Sequence, residues 1–154
     1  MLTEPNYTGN IIVILANLPD FLRKPILKKR MSEFYSMSDQ ERNILIENAL
    51  EAGPTIPFPN FSKLFKTWLE VLADETEEHR KILVSSYVNE ITNFPQKLIA
   101  FNIDGMLEIY LTLDDSKKMI INNSLKLIIE KLESDAKRKI MLIIPNMLKN
   151  ELGV

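Results

Sequence analysis

The feature that most restricts this chain is that it matches itself. Met31-Ser-Glu33-Phe-Tyr35 lines up with Trp68-Leu-Glu70-Val-Leu72 and with Met106-Leu-Glu108-Ile-Tyr110, at shifts of 37 and 38 residues. Further along each copy, Arg42-Asn-Ile44-Leu-Ile46 lines up with Arg80-Lys-Ile82-Leu-Val84 and with Lys117-Lys-Met119-Ile-Ile121. Asn48, Ser86 and Asn123 share a later column, as do Leu50, Val88 and Leu125. Self-similarity at a fixed period means one structural unit used several times.

That unit is a pair of helices. Only four glycines occur in 154 residues and strong helix formers are abundant, so the expected class is all-α. Between the glutamate column and the basic column lies cap chemistry: Ser38 or Asp39, Thr76, Asp115 and later Ser134 can each accept a hydrogen bond from free N–H groups of the next helix. Neighbouring acids (Glu41, Glu77, Glu78, Asp135) suit the positive helix N-terminus. The links "GPTIPFPN" and "NFP" carry prolines, which stop one helix and admit another. The spacing predicts a short helix near 10–17, first arms at 20–36, 60–73 and 95–112, second arms at 39–51, 76–92 and 115–132, and a last helix at 134–150. Pro25 and Pro145 are expected at a first turn or a kink. The expected architecture for 1–154 is one helical-repeat domain, a right-handed stack of three αα-hairpins closed by a capping helix. A compact antiparallel helical bundle is the alternative, because Met119, Ile120, Ile121, Leu125, Leu127, Ile128 and Ile129 make the third second-arm apolar around most of its circumference.

A two-helix unit with a period of 37–38 resembles the HEAT/armadillo class of helical repeats, over roughly 20–150. The resemblance implies a surface for binding rather than catalysis. HEAT repeats usually carry an arginine six residues after the turn aspartate; here Leu45 follows Asp39 and Ile120 follows Asp114 at that distance, and Glu75 with Lys81 comes nearest.

Charge and composition exclude several classes of function. Nineteen basic against 21 acidic side chains leave a net charge of −2, with no whole-chain field for nucleic acid or acidic lipid. Cysteine is absent, which removes disulfides, thiolate metal sites and thiol nucleophiles. The longest apolar runs, "IIVILANL" and "IMLII", fall well short of the ~20 residues that span a bilayer. The start, "MLTEPNYTGN", lacks the pattern of a secretory signal, so a cytoplasmic chain with no membrane contact is expected.

Candidate chemistry is sparse. His79 is the single histidine and falls in the first turn of the second unit's second arm, where a solvated side chain is expected. With no second histidine, no Gly-x-Ser-x-Gly turn and no glycine-rich phosphate loop, no catalytic residue, metal ligand or cofactor site is expected. Glu33, Glu70 and Glu108 recur in register; they either face solvent and pair with neighbouring lysines or form a carboxylate ladder for a hard cation or basic partner. Arg42, Arg80, Lys117 and Arg138 place a cation near each helix N-terminus, the unfavourable end, so they are either balanced by the acids just before them or form an edge for an anionic partner. Leu22–Arg30 holds five basic residues, but they spread around the helix, which leaves nucleic-acid binding as a third reading. Asp74–Glu78 reads as a solvated acidic turn, Trp68 as core, and Pro57-Phe58-Pro59 as a rigid link or docking point. Ile140, Met141, Leu142, Ile143, Ile144, Met147 and Leu148 crowd around Pro145 and make the last helix either a closing cap or an interface, with Ile140, Ile143, Ile144, Met147 and Leu148 as the candidate contacts. The expected function is a non-catalytic protein-interaction or scaffold module whose partner is a protein, an identical chain among the candidates. A small-molecule or metal-binding bundle, with Glu33, Glu70, Glu108 and Tyr110 converging on a pocket, is the alternative.

Overall fold

Helix ends fall where cap chemistry and proline put them. The computed structural model describes residues 7–154; Met1–Asn6, which opens the segment read for a leader, lies outside the described residues. Among the described residues there are ten α-helices and no strand. They are α1 (Tyr7–Asn17), α2 (Asp20–Tyr35), α3 (Asp39–Ala52), α4 (Phe58–Asp74), α5 (Glu77–Asn93), α6 (Gln96–Ile99), α7 (Ile103–Leu111), α8 (Asp115–Glu130), α9 (Ser134–Ile143) and α10 (Asn146–Leu152). No helix is long and apolar enough to cross a membrane.

Ser38 caps α3 by accepting the Glu41 N–H at 3.2 Å, and its hydroxyl donates to Glu41 Oε1 at 3.0 Å. Thr76 accepts the His79 N–H at 3.2 Å and starts α5 in the same way. At α8 and α9 the cap positions fall one residue earlier than expected, on Asp114 and Glu133, and neither side chain closes a cap bond. Pro25 lies inside α2, past its first turn. α4 begins at Phe58, two residues ahead of the expected start, because Pro59 fits a first turn whose N–H groups are free.

Two expected helices are each broken in two. The first arm expected at 95–112 stops after Ile99, and Asn102 then accepts the Gly105 N–H at 3.0 Å to start α7. The last helix stops at Ile143, because Ile144 precedes Pro145 and is driven to extended backbone (ψ 129°) by the proline ring.

Equivalent arms pack on one another. α2 lies against α4 and α4 against α7; α3 lies against α5 and α5 against α8. α1 covers the start, packing on α2, α3 and α4, while α9 packs on α5 and α8, and α10 on α8. Consecutive arms joined by a turn pack mainly on other helices rather than on each other. One buried cluster runs from Leu15 to Leu152, with Ile46, Leu72, Ile129 and Val71 fully enclosed. Full burial of each such side chain contributes about 1.5–3 kcal/mol.

Phe58, Phe61, Phe65 and Trp68 form a row along α4, and the row continues edge-on into Tyr87 of α5. Phe101 joins it at 5.6 Å from Phe61. Two glycines act as sockets for this row. A Cβ on Gly53 would stand 2.5 Å from the Phe101 ring, and one on Gly105 would stand 2.4 Å from the Phe58 ring. Gly→Ala within a helix ordinarily gains up to about 1 kcal/mol. In Gly105→Ala the displaced ring should reverse that sign, with a net loss of about 1–3 kcal/mol in urea denaturation; a neutral or stabilised variant would show that the ring is not fixed by this contact.

Candidate functional site

The repeated cations are placed by the turns that carry them. Arg42 Nε donates to the Phe34 carbonyl at 3.1 Å and Nη2 to the Tyr35 carbonyl at 2.5 Å, the last carbonyls of α2. Its guanidinium also lies 5.6 Å from the centre of the Phe34 ring. Arg80 repeats the contact one unit later. Its Nη1 donates to the Ala73 and Glu75 carbonyls at the end of α4, and its Nε donates at 3.0 Å to Oγ of the buried Ser124 on α8. Each arginine sits near the positive end of its own helix while its head group lies at the negative end of the helix before. Charge and hydrogen bonding there both favour a cation.

The structure extends this set to a member that spacing missed. Arg23, only 3% exposed, donates from Nε to the Leu15 carbonyl at 3.0 Å and from Nη2 to the Leu18 carbonyl, closing the end of α1. Arg23, Arg42 and Arg80 are each the fourth residue of their helices. In α8 the fourth residue is Lys118, not Lys117. Lys118 pairs with Asp115 at 3.7 Å and with Glu151 of α10 at 3.6 Å. An acid three residues before the cation completes most corners: Asp20–Arg23 at 2.6 Å, Asp39–Arg42 at 3.6 Å and Asp135–Arg138 at 2.7 Å. Hydrogen bonding and charge from Arg23 hold the Asp20 carboxyl below its ordinary value. The charges of Lys139 and Arg138, with hydrogen bonds from both, do the same for Asp135.

The four cations chosen by register therefore divide. Arg42 and Arg80 are turned inward, Lys117 pairs with Glu70 at 3.6 Å, and Arg138 alone stands mostly in solvent, 74% exposed. They do not form one edge.

The carboxylates do not converge either. Glu33 is exposed beside Arg30, Glu70 holds Lys117, and Glu108 is exposed on α7. Tyr110 is buried and donates instead to Asn122 Oδ1 on α8. Among the described residues no group of three or more acidic or histidine side chains is placed to hold a metal ion.

His79 is not freely solvated. Its ring stacks on Tyr35 with centroids 3.9 Å apart, and Nδ1 lies 3.3 Å from Glu75 Oε2. The stack joins the first and second corners. The Tyr35 hydroxyl beneath it is buried and has no hydrogen-bond partner among the described residues. Burial, and then the nearby Glu75 charge, push its ionisation upward; burial likewise pushes Tyr87 up to about 12. Lys97 on α6, also unforeseen, pairs with Glu90 at 2.8 Å and lies 4.6 Å from the centre of the Phe94 ring.

The C-terminal apolar residues are mostly consumed. Ile140 is buried, and Ile144 and Leu148 pack against the core, while Ile143 is half-buried. Met147 is 57% exposed, and Leu142 is 80% exposed. The Pro57-Phe58-Pro59 link places Phe58 against Gly105, so its apolar group packs within the protein. An open groove of about 540 Å³ runs between α5 and α8, with Leu127, Ile128 and Leu132 among its lining and Glu77, Lys81 and Lys131 also on its walls.

Two expectations follow. Arg23→Met should lower stability by about 2–4 kcal/mol, because buried carbonyls lose a charged donor, while Arg138→Ala should leave the urea midpoint in place; equal effects would refute the division of the cations. Tyr35→Phe should hold or raise stability at neutral pH by up to about 1 kcal/mol. It should also flatten the alkaline loss. With the folded value raised, this tyrosine's contribution is full below about 10 and falls as pH rises through that range, because only the unfolded chain ionises there. A destabilised Tyr35→Phe would show that the hydroxyl has a favourable partner. Comparison with known protein families, with curated proteins and with solved structures finds no match for this chain.

Proposed function

We propose that the chain is a non-catalytic protein-interaction module, a short HEAT-like stack of helical repeats that presents apolar ends to a protein partner, a second copy of itself included. The observation that carries this reading is the C-terminal surface. Leu142 is 80% exposed, Met119 62% and Met147 57%, on three helices of which α9 and α10 both pack on α8. Large side chains this open are favourable sites for burial against another protein. The packing of α2 on α4 on α7, and of α3 on α5 on α8, supports the repeat reading. The corner cations support a non-catalytic role, since most of their head groups are committed to internal partners. A chain without cysteine suits a reducing compartment such as the cytoplasm.

Light scattering on a size-exclusion column tests the self-association form of this reading. The full chain should assemble with rising concentration, and Leu142→Asp with Met147→Asp should return it to a monomer of unchanged helicity. Truncation after Lys139 should instead unfold the chain, because it removes Ile140 and Leu152 from the core. A full-length monomer at every concentration, indistinguishable from the double variant, would remove this face as a contact between copies.

A further inference from the structure

A second apolar surface lies at the other end of the molecule, with a charge pattern that selects its occupant. α1 carries no charged side chain, yet Ile14 on it is 60% exposed. Just past the Leu18–Pro19 corner, Phe21 is 76% exposed, the most open aromatic ring of the described chain, with Leu22 at 39% and Ile26 at 37%. The arginine clamp from Arg23 to the Leu15 and Leu18 carbonyls fixes the first turn of α2 to the last turn of α1, so these side chains stand on one rigid corner.

The corner is basic in a chain that is not. Residues 7–35 hold five basic side chains (Arg23, Lys24, Lys28, Lys29, Arg30) against two acidic ones (Asp20, Glu33), whereas the whole chain carries −2. Arg23 is buried, Lys24 pairs with Asp74 at 3.7 Å, and Arg30 lies 3.3 Å from Glu33. Lys28 and Lys29 remain exposed, with no ion pair among the described residues. An apolar patch beside unmatched ammonium groups complements a ligand that is apolar on one stripe and carboxylate-bearing at its edge.

We infer that the α1–α2 corner docks an acidic amphipathic helix of a partner protein, with Phe21 as the central contact and Lys28 and Lys29 facing its carboxylates. This rests on the interaction-module reading and names its partner chemistry. Phe21 supplies the buried aromatic anchor that such contacts depend on. The lysines supply orientation, an on-rate and a salt dependence.

The test is selection of a displayed random library of helix-forming 16-residue peptides against the whole chain. Binding of the enriched peptides is then measured against Phe21→Ser and against Lys28→Glu with Lys29→Glu. All three positions are solvent-exposed, so circular dichroism of the variants should match the parent. Enriched peptides should carry apolar residues at helical spacing flanked by Asp or Glu. Each variant should weaken them by roughly tenfold or more, and added salt should weaken them further. Peptides of another charge type, or peptides indifferent to all three substitutions, would overturn the docking site while leaving an interaction module elsewhere on the chain. No enrichment at all would overturn both. Vesicles of 30% phosphatidylserine in phosphatidylcholine serve as the competing probe: Phe21-dependent vesicle binding tighter than peptide binding would assign the corner to an anionic lipid surface instead.

Discussion

Apart from the link at 53–57, every corner of this fold closes a helix and opens the next within two or three residues. A helix C-terminus leaves carbonyls without partners, and a sharp turn buries some of them where water does not reach. The chain meets this with a cation sent backwards across the turn. Arg23, Arg42 and Arg80 each stand one turn into a helix and donate to the carbonyls that end the helix before it. Where the arginine becomes Lys118, the head group is turned to Asp115 and Glu151 instead, and α10 is drawn onto α8. Arg138, paired with Asp135 and mostly in solvent, marks the corner at which the device stops.

Much of this was legible in the residues, for a definite reason. Ser38 and Thr76 act locally, through hydrogen bonds to N–H groups three positions on, so a linear pattern is enough to place α3 and α5. The breaks in the third first-arm and in the last helix were not legible, although Asn102 and Pro145 are both visible. Asn102 starts a helix where the pattern suggested continuity because the Phe101 ring beside it is drawn against Gly53 and Phe61, a contact between residues far apart in sequence. Ile144 before Pro145 was a local signal read too leniently as a kink.

The candidate site shows the same division between local and distant causes. A cation at a helix N-terminus looked electrostatically wrong, and that anomaly was real, but the explanation lay in the preceding helix. Register alone pointed to Lys117, whereas the fourth position of α8 is Lys118; one residue on a helix turns a side chain by about 100°. Arg23 was hidden inside a basic run whose other members face solvent. With so many charges committed to corners, large apolar side chains stand open at both ends, Phe21 at one and Leu142 at the other, and Ile99 on α6 is open as well.

The order in which helices pack has a consequence for how the molecule opens. Each described helix finds its main neighbours within a few places along the chain, α1 among α2, α3 and α4, α10 on α8, so the substantial helix packing does not join α1 to α10. Such a chain has mostly short-range contacts, which favour rapid folding and allow an end to loosen while the middle holds. Amide exchange would then be graded rather than all-or-none, slowest where α4, α5 and α8 are enclosed on several sides and fastest in α10, which packs chiefly on α8. The C-terminal end would thus open first, while the clamped α1–α2 corner stays closed with the middle of the stack.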